Sequence, residues 1–275
     1  MRGWRFGRAG LLLAVLVLVL ATLSPAGAIT DGELDGDGHP HVALMVATDA
    51  GGNPLWRCSG TFLSETVYLT AGHCTAAPAA RAEIWLASDV ESGIPDNGYP
   101  FVGDVSGVAY AHPEYENPYP WFMRDVGVVV LDGEDAVDLP VYGELPEIDQ
   151  FDAWKGNAKR GVTFTAVGYG LQESFPNAAA WKDVAERVRM VSHPKLIQIN
   201  VPGSVGDFSM LLSNNAHTGG TCFGDSGGPN FLGDSNVVAG VTSFGKNVTC
   251  AGQGGVLRLD REWSGGWVAG FLTGS

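Results

Sequence analysis

The sequence predicts an all-β fold, a sandwich or a pair of barrels, from three observations. Its apolar runs are short and β-like, as in His41-Val42-Ala43-Leu44-Met45-Val46-Ala47, Thr66-Val67-Tyr68-Leu69-Thr70 and Val162-Thr163-Phe164-Thr165-Ala166-Val167. Clusters of Gly, Pro, Asn and Asp separate them, among them Asp49 to Pro54 and Gly93 to Pro100. No long amphipathic helix stands out; only Ala178 to Met190 has room for a short one. Many short strands with turn punctuation imply two packed layers of β-structure around a core. The acidic stretch Asp132 to Asp152, with Pro140 and Pro146, reads as the crossing between halves, so one half runs over about 29–150 and the other over about 151–275. There is no internal repeat and no low-complexity tract.

Residues 1–28 read as an export signal. Arg2, Arg5 and Arg8 precede an unbroken apolar run, Leu11 to Ala21, that closes on Ala26-Gly27-Ala28. A membrane anchor would need roughly 18 or more apolar residues and would not end in a small-x-small site. Cleavage after Ala28 leaves 275 less 28, or 247 residues, a length that suits two packed β-barrels sharing a cleft. Removal of three arginines and no acid takes the formal charge from −14 to −17. Nucleic acid and anionic membrane surfaces are therefore poor partners, and spread carboxylates suit a soluble exported protein. Four cysteines in such a chain imply two disulfides, with three pairings open. A metal site is not expected, because no Cys-x-x-Cys occurs and Cys74 alone stands beside a histidine.

Three motifs carry chemistry. Thr221-Cys222-Phe223-Gly224-Asp225-Ser226-Gly227-Gly228-Pro229 offers a serine on a tight, glycine-rich turn, the shape that projects a hydroxyl while backbone N–H groups face a developing oxyanion. Leu69-Thr70-Ala71-Gly72-His73-Cys74 runs a β-rich segment into a histidine, the natural base for a hydroxyl that is a weak nucleophile near neutral pH. Arg124-Asp125-Val126-Gly127-Val128-Val129-Val130-Leu131 opens a buried-looking strand with an acid. Such a carboxylate is costly unless it is hydrogen-bonded, and orienting an imidazole is one such use. Each motif has a bland reading as a turn, a structural histidine or a strand-edge aspartate, but their order His73, Asp125, Ser226 gives them joint weight.

In that order and in its flanking segments the sequence resembles the trypsin/chymotrypsin family of serine proteases along nearly the whole chain after residue 28. Ala111-His112-Pro113-Glu114-Tyr115, Gly168-Tyr169-Gly170 and Thr242-Ser243-Phe244-Gly245 also fall where family segments fall. The resemblance implies two packed antiparallel six-stranded β-barrels with the active site in the cleft between them. It implies a secreted serine endopeptidase, extracellular or periplasmic, acting on polypeptide substrates with His73, Asp125 and Ser226 as the catalytic triad. The implied disulfides are Cys58–Cys74 and Cys222–Cys250, each worth roughly 3 kcal/mol by loop closure. The backbone N–H groups of Gly224 and Ser226 become the oxyanion hole, Ser243 helps to hold Asp125, and Ser243 to Gly245 pair with the substrate backbone. No cofactor is required. Protein protease inhibitors are fitting partners, no membrane is engaged once the signal is removed, and a monomer is expected. The rival reading is a catalytically inactive secreted binding protein on the same fold.

Two further expectations follow from the resemblance. Gly220, six residues before the serine, takes the place at the pocket base where an aspartate would select Arg and Lys; with Thr221, Phe244, Gly245 and Gly255 it implies an open, uncharged pocket. The second concerns Ile29, whose ammonium, freed by cleavage after Ala28, is expected to fold inward and pair with Asp225. The departures are Tyr169 and Phe244 in place of tryptophans and Gly265-Gly266 where a terminal helix would be expected. Outside the resemblance, Asp31-Gly-Glu33-Leu-Asp35-Gly36-Asp37 lacks the twelfth-position glutamate of a calcium loop, Val42 standing there, and reads as an acidic loop. His39-Pro40-His41 is too short to bind a metal alone. Asn247-Val248-Thr249 is a glycosylation sequon.

Overall fold

The computed structural model describes residues 29–117, 123–156, 160–173, 185–201 and 206–273. The export signal read at 1–28 lies outside the described residues, as do residues 178–184 of the segment with room for a helix; its described remainder is not helical.

Strand β2 (Val42–Thr48) is buried at every position, as a short continuous apolar run predicts. With β3 (Pro54–Phe62), β4 (Val67–Thr70), β5 (Arg81–Trp85), β6 (Val105–Ala111) and β7 (Gly127–Leu131) it closes an antiparallel barrel in the order β2-β3-β4-β7-β6-β5. The two-residue period sorts its side chains cleanly. Ala43, Met45 and Ala47 lie opposite Gly60, Cys58 and Trp56, and pack with Phe62, Tyr68, Ile84 and Val129 in a cluster drawn from the first half of the chain. Leu44 and Val46 lie opposite Ser59 and Arg57 on the other face. Leu44 and Val46 share a core with Val167, Tyr169, Phe231, Val241 and Leu257 of the second half. Each fully buried aliphatic side chain here contributes roughly 1.5–3 kcal/mol, so this shared core helps to fasten the two halves.

The second half forms an eight-stranded sheet from β1 (Glu33–Leu34), β8 (Phe164–Gly168), β9 (Met190–Ser192), β10 (Leu196–Val201), β11 (Gly206–Asn214), β12 (Pro229–Leu232), β13 (Val238–Gly245) and β14 (Gly252–Arg258). Its order is β1-β9-β8-β12-β13-β14-β11-β10. Strands β9 and β10 belong to one length of chain, and an antiparallel bridge between Thr163 and Lys195 joins that length back to the start of β8. Counted this way, six lengths of chain run round the second barrel, and the expected two-barrel fold is present. Phe151, Phe164, Leu196, Met210, Ala239 and Val256 fill its own core.

The termini depart from the expected division near residue 150. Strand β1 pairs with β9, so the segment before residue 42 joins the second sheet rather than the first barrel. At the other end, a π-helical turn at Glu262–Gly266 leads into helix α2 (Trp267–Leu272), which carries Val268 into the core shared by both halves. The tail is therefore helical despite Gly265-Gly266. The reason is steric: a Cβ on Gly265 would stand 2.1 Å from the Leu259 carbonyl oxygen, so the sharp return of the chain admits no side chain. The acidic loop also differs from expectation, because Asp35 turns inward. Its carboxylate meets the fully buried Arg189 at 2.8 Å and His39 Nδ1 at 2.5 Å, and Arg189 also donates to the carbonyls of Gly36 and Val42. A charge so buried persists only when paired and hydrogen-bonded, and this pair ties the amino-terminal segment to β9.

A matched pair of substitutions tests the reading of the tail. Gly265→Ala is expected to lower stability by about 1–3 kcal/mol through overpacking against backbone. Gly270→Ala, where a Cβ meets nothing within 4 Å, is expected to be neutral or to stabilise by up to about 1 kcal/mol. Urea unfolding of the two variants checks both signs.

Candidate active site

The three motif residues converge from three elements. His73 sits in a single helical turn, α1 (Gly72–Thr75), directly after β4; Asp125 precedes β7; and Ser226 lies on the loop before β12. Strands β4 and β7 are paired neighbours, with Thr70 opposite Gly127, which brings His73 and Asp125 together across 52 residues of sequence. Asp125 is fully buried. Its Oδ1 accepts the backbone N–H of His73 at 2.7 Å, and its Oδ2 lies 2.9 Å from His73 Nδ1. The hydroxyl of Ser243, on β13 of the other half, donates to the same Oδ2 at 2.5 Å. The carboxylate thus orients the imidazole, and His73 is partly exposed in the cleft that Ser226 also lines.

The serine loop is held from both sides. The N–H of Ser59 donates to the Ser226 carbonyl at 2.8 Å, and the Ser59 hydroxyl donates to the Gly224 carbonyl at 2.9 Å. On the other side the N–H of Gly227 reaches the Thr242 carbonyl at 2.8 Å. Gly224 (φ 95°) and Gly227 (φ 79°) both occupy the left-handed region, the conformation that a turn this tight requires and that side chains rarely adopt. A Cβ on Gly227 would also meet Thr70 Oγ1 at 2.0 Å. Among the described residues the N–H groups of Gly224 and Ser226 make no backbone hydrogen bond, whereas those of Asp225, Gly227 and Gly228 all do. Two N–H groups of the serine loop are thus uncommitted to a backbone acceptor. Both disulfides implied by the resemblance are present, Cys58–Cys74 behind His73 and Cys222–Cys250 beside the serine loop.

Asp225 is buried directly under this loop. Its two carboxylate oxygens accept the N–H groups of Gly170 at 2.7 Å and Cys222 at 2.8 Å. Burial nevertheless pushes its carboxyl up to about 7, against the pull of those two N–H groups and of the Arg57 charge. Ile29 is fully buried, packed on Met190 with Val188, and neither N–H at Asp225 comes from it. The next residue, Thr30, exchanges both backbone hydrogen bonds with Gly220, and its hydroxyl donates to Asn214 Oδ1 at 2.7 Å.

The cleft holds about 340 Å³ and is lined by His73, Asn117, Thr221 to Phe223, Ser226, Thr242 to Gly245 and Cys250. Among the described residues no carboxylate, guanidinium or ammonium lines it. Of the residues expected to shape it, Thr221, Ser243, Phe244 and Gly245 are there; Gly220 and Gly255 do not line it. The Asn214 side chain occupies the space over Gly220, and the Phe244 ring lies against Gly255, each 2.4 Å from where a Cβ would stand. Asn214 and Ser59 carry structural roles here that sequence reasoning missed. Ser59 directly follows Cys58, but nothing in the sequence near Asn214 marks it. The histidine pair at 39 and 41 joins no metal-ligating cluster; the one such cluster among the described residues is Cys58, Cys74 and His73, whose cysteines are already a disulfide.

Comparison with known proteins bears on the family and the fold. "Serine protease 1" of Drosophila melanogaster is 27% identical over 224 residues, covering 82% of this chain and 78% of that protein. "Trypsin 5G1" of Aedes aegypti is 26% identical over 212 residues, covering 75% and 73%. Among solved structures, HL collagenase superposes with a TM-score of 0.68 at 20% identity, over 90% of this chain and all of that one. A mutant of human heparin binding protein (CAP37) gives 0.62 at 16%, over 90% and 97%. These likenesses bear on the fold. The trypsin family model matches residues 36–259, and with serine, histidine and aspartate motifs in family order within that span, the chain belongs to the trypsin family.

Proposed function

We propose that this protein is a secreted serine endopeptidase that hydrolyses peptide bonds through an acyl-enzyme on Ser226. The observation that carries this reading is the Asp125 carboxylate, buried and bonded at once to the His73 ring, the His73 backbone and Ser243. His73 takes the proton of Ser226 as the hydroxyl attacks the carbonyl and returns it to the leaving amine, while Asp125 fixes the ring's tautomer and stabilises its charged form. The N–H groups of Gly224 and Ser226 meet the oxyanion. Water then releases the acyl group by the same proton transfers in reverse. Secretion fits the two disulfides and the export signal read at 1–28. Polypeptides are the substrates, and the strand Ser243 to Gly245 at the cleft is available to pair with their backbone.

Stoichiometric labelling of Ser226 by an organophosphonate or sulfonyl fluoride tests the chemistry, and absence of labelling in the processed protein would favour the binding protein instead. Ser226→Ala and His73→Ala are each expected to cut turnover by several orders of magnitude, and Asp125→Asn by about 10⁴-fold, with unfolding midpoints near those of the parent.

Specificity follows from the uncharged cleft. An Arg or Lys side chain entering it would be desolvated without a partner, so cleavage after large apolar or aromatic residues is expected to exceed cleavage after Arg and Lys. Profiling on a peptide library checks this, and an excess at Arg or Lys would refute it.

Activation rests on Asp225. In the uncut chain its folded pKa of about 7 lies above the ordinary aspartate value of 3.8, so the folded state binds the proton more tightly than the unfolded state. The associated stability is present in full below about pH 4 and is lost as pH rises toward 7. An ammonium freed at Ile29 and paired with Asp225 would abolish that loss. The uncut protein is therefore expected to lose stability over this window, and the protein beginning at Ile29 to lose little. Denaturant unfolding against pH, with Asp225→Asn removing the slope, measures the difference. Full activity with an uncleaved tag before Ile29 would show the pairing to be unnecessary.

A further inference from the structure

One half-buried cation beside the serine loop has no part in the reaction described above. Arg57 shares a face of β3 with Ser59, two residues on, and this face looks toward the second half, since Leu44 and Val46 opposite them enter the shared core. Ser59 bonds to the carbonyls of both Gly224 and Ser226, so Arg57 is carried to the flank of the same loop. Its Nε and Nη2 each stand 3.4 Å from where a Cβ on Gly224 would be. Around it are Tyr99, whose phenol acts on it electrostatically, and a second guanidinium, Arg187, which lies 5.1 Å over the Tyr99 ring. Arg187 has its own carboxylate, Glu91 at 2.7 Å. Arg57 has none within ion-pair distance among the described residues. Asp225 acts on it only through space, its two oxygens engaged by Gly170 and Cys222.

The direction of the site follows from the cleft. Thr221 to Phe223 and Thr242 to Gly245 line the cleft with Ser226, and Arg57 is not among the lining residues. If the acyl side chain of the substrate takes that cleft, the departing amine leaves it past Ser226, whose carbonyl is held by the Ser59 N–H of β3, two residues from Arg57. A partly desolvated guanidinium with a planar fork of donors and no anion of its own is matched by a carboxylate.

Resting on the endopeptidase reading, we propose that Arg57, flanked by Tyr99, is a specificity-determining residue that binds a carboxylate on the leaving-group side of the scissile bond, within the first two residues after it. Burial lowers the pKa of Arg57 without threatening its charge, and the same burial shields the pair from solvent screening.

The test uses internally quenched peptides with one shared acyl half. They carry Asp, Glu, Asn or Gln at the first or second residue after the cut and are amidated at the C-terminus, so that the side chain is the only carboxylate. A parallel set ending in a free carboxylate two residues after the cut reads a terminal carboxylate instead. Acid over amide is expected to be favoured about tenfold in kcat/KM, the size of one charge-assisted hydrogen bond. Arg57→Gln should bring that ratio to about one, and Arg57→Lys should keep part of it; rising salt should erode it. The same peptides bound to Ser226→Ala protein, followed by fluorescence anisotropy, give the ratio without catalysis. Labelling of Ser226 with no acid preference in either readout would overturn the proposal and leave the enzyme reading standing. Failure to label with a preference in the binding readout that Arg57→Gln removes would do the reverse. An acid preference that survives in Arg57→Gln would also overturn it.

Discussion

A single buried carboxylate, Asp125, sets the terms for the rest of the cleft. At zero exposure its charge is tolerable only with a full set of donors, and the donors come from both halves of the chain. One is the backbone N–H of a helical turn after β4, one is the ring of the same residue, and one is a hydroxyl on β13 of the other half. Separating the halves, or shifting β4 against β7 by one residue, would strip the carboxylate of donors and turn the imidazole loose. The polar interaction that orients the histidine is thus also one of the directional contacts between the halves, alongside the Ser59 bonds to the serine loop and the apolar core they share.

The serine loop is built on a second buried carboxylate with the opposite balance. Asp225 has two N–H donors and no bonded cation, and burial holds its carboxyl near neutrality. The chain allows the approach by leaving no side chains in the way: a Cβ on Gly168 or Gly170 would stand 2.4 Å from atoms of that carboxylate. Two aspartates at similar depth therefore differ in what they require. Asp125 is complete within the folded chain, whereas Asp225 is under-compensated, and an under-compensated buried acid is a place where a new positive charge has a large effect on the conformation around it.

How much of this was legible in sequence depends on the range of the cause. The strands, the serine turn and the three motifs were legible because each is a local pattern: alternation, glycine spacing, an acid opening an apolar run. The disulfide partners and the Ser243 contact came from family resemblance rather than from the residues. What stayed hidden depends on distant backbone. Gly265-Gly266 looked like a helix breaker, and only the approach of the Leu259 carbonyl explains why a helical tail needs glycine there. Asp35 looked like one carboxylate among several in a solvated loop, and only the arrival of Arg189, 154 residues later, buries it. Asn214 and Arg57 carry no local mark, because their importance lies in what the fold sets beside them, Gly220 in one case and Gly224 in the other.

These long-range contacts converge on a coupling between the amino-terminal segment and the cleft. Thr30 is strand-paired to Gly220, and through its hydroxyl it holds Asn214, whose amide donates to the Thr221 carbonyl at 2.9 Å. Thr221 lines the cleft, and Cys222 beside it donates to Asp225. The segment after Ile29 is thus bonded to the wall of the cleft and, one residue further, to the support of the serine loop. Downstream, Asp35 clamps the same segment to Arg189 on the β9 side. A segment fixed at both ends has few ways to respond to a change at Ile29 except through the groups it holds, and those groups are the cleft wall. The two barrels supply a rigid frame for His73 and Asp125, while the position of the serine loop depends on how thirteen residues before β2 are seated.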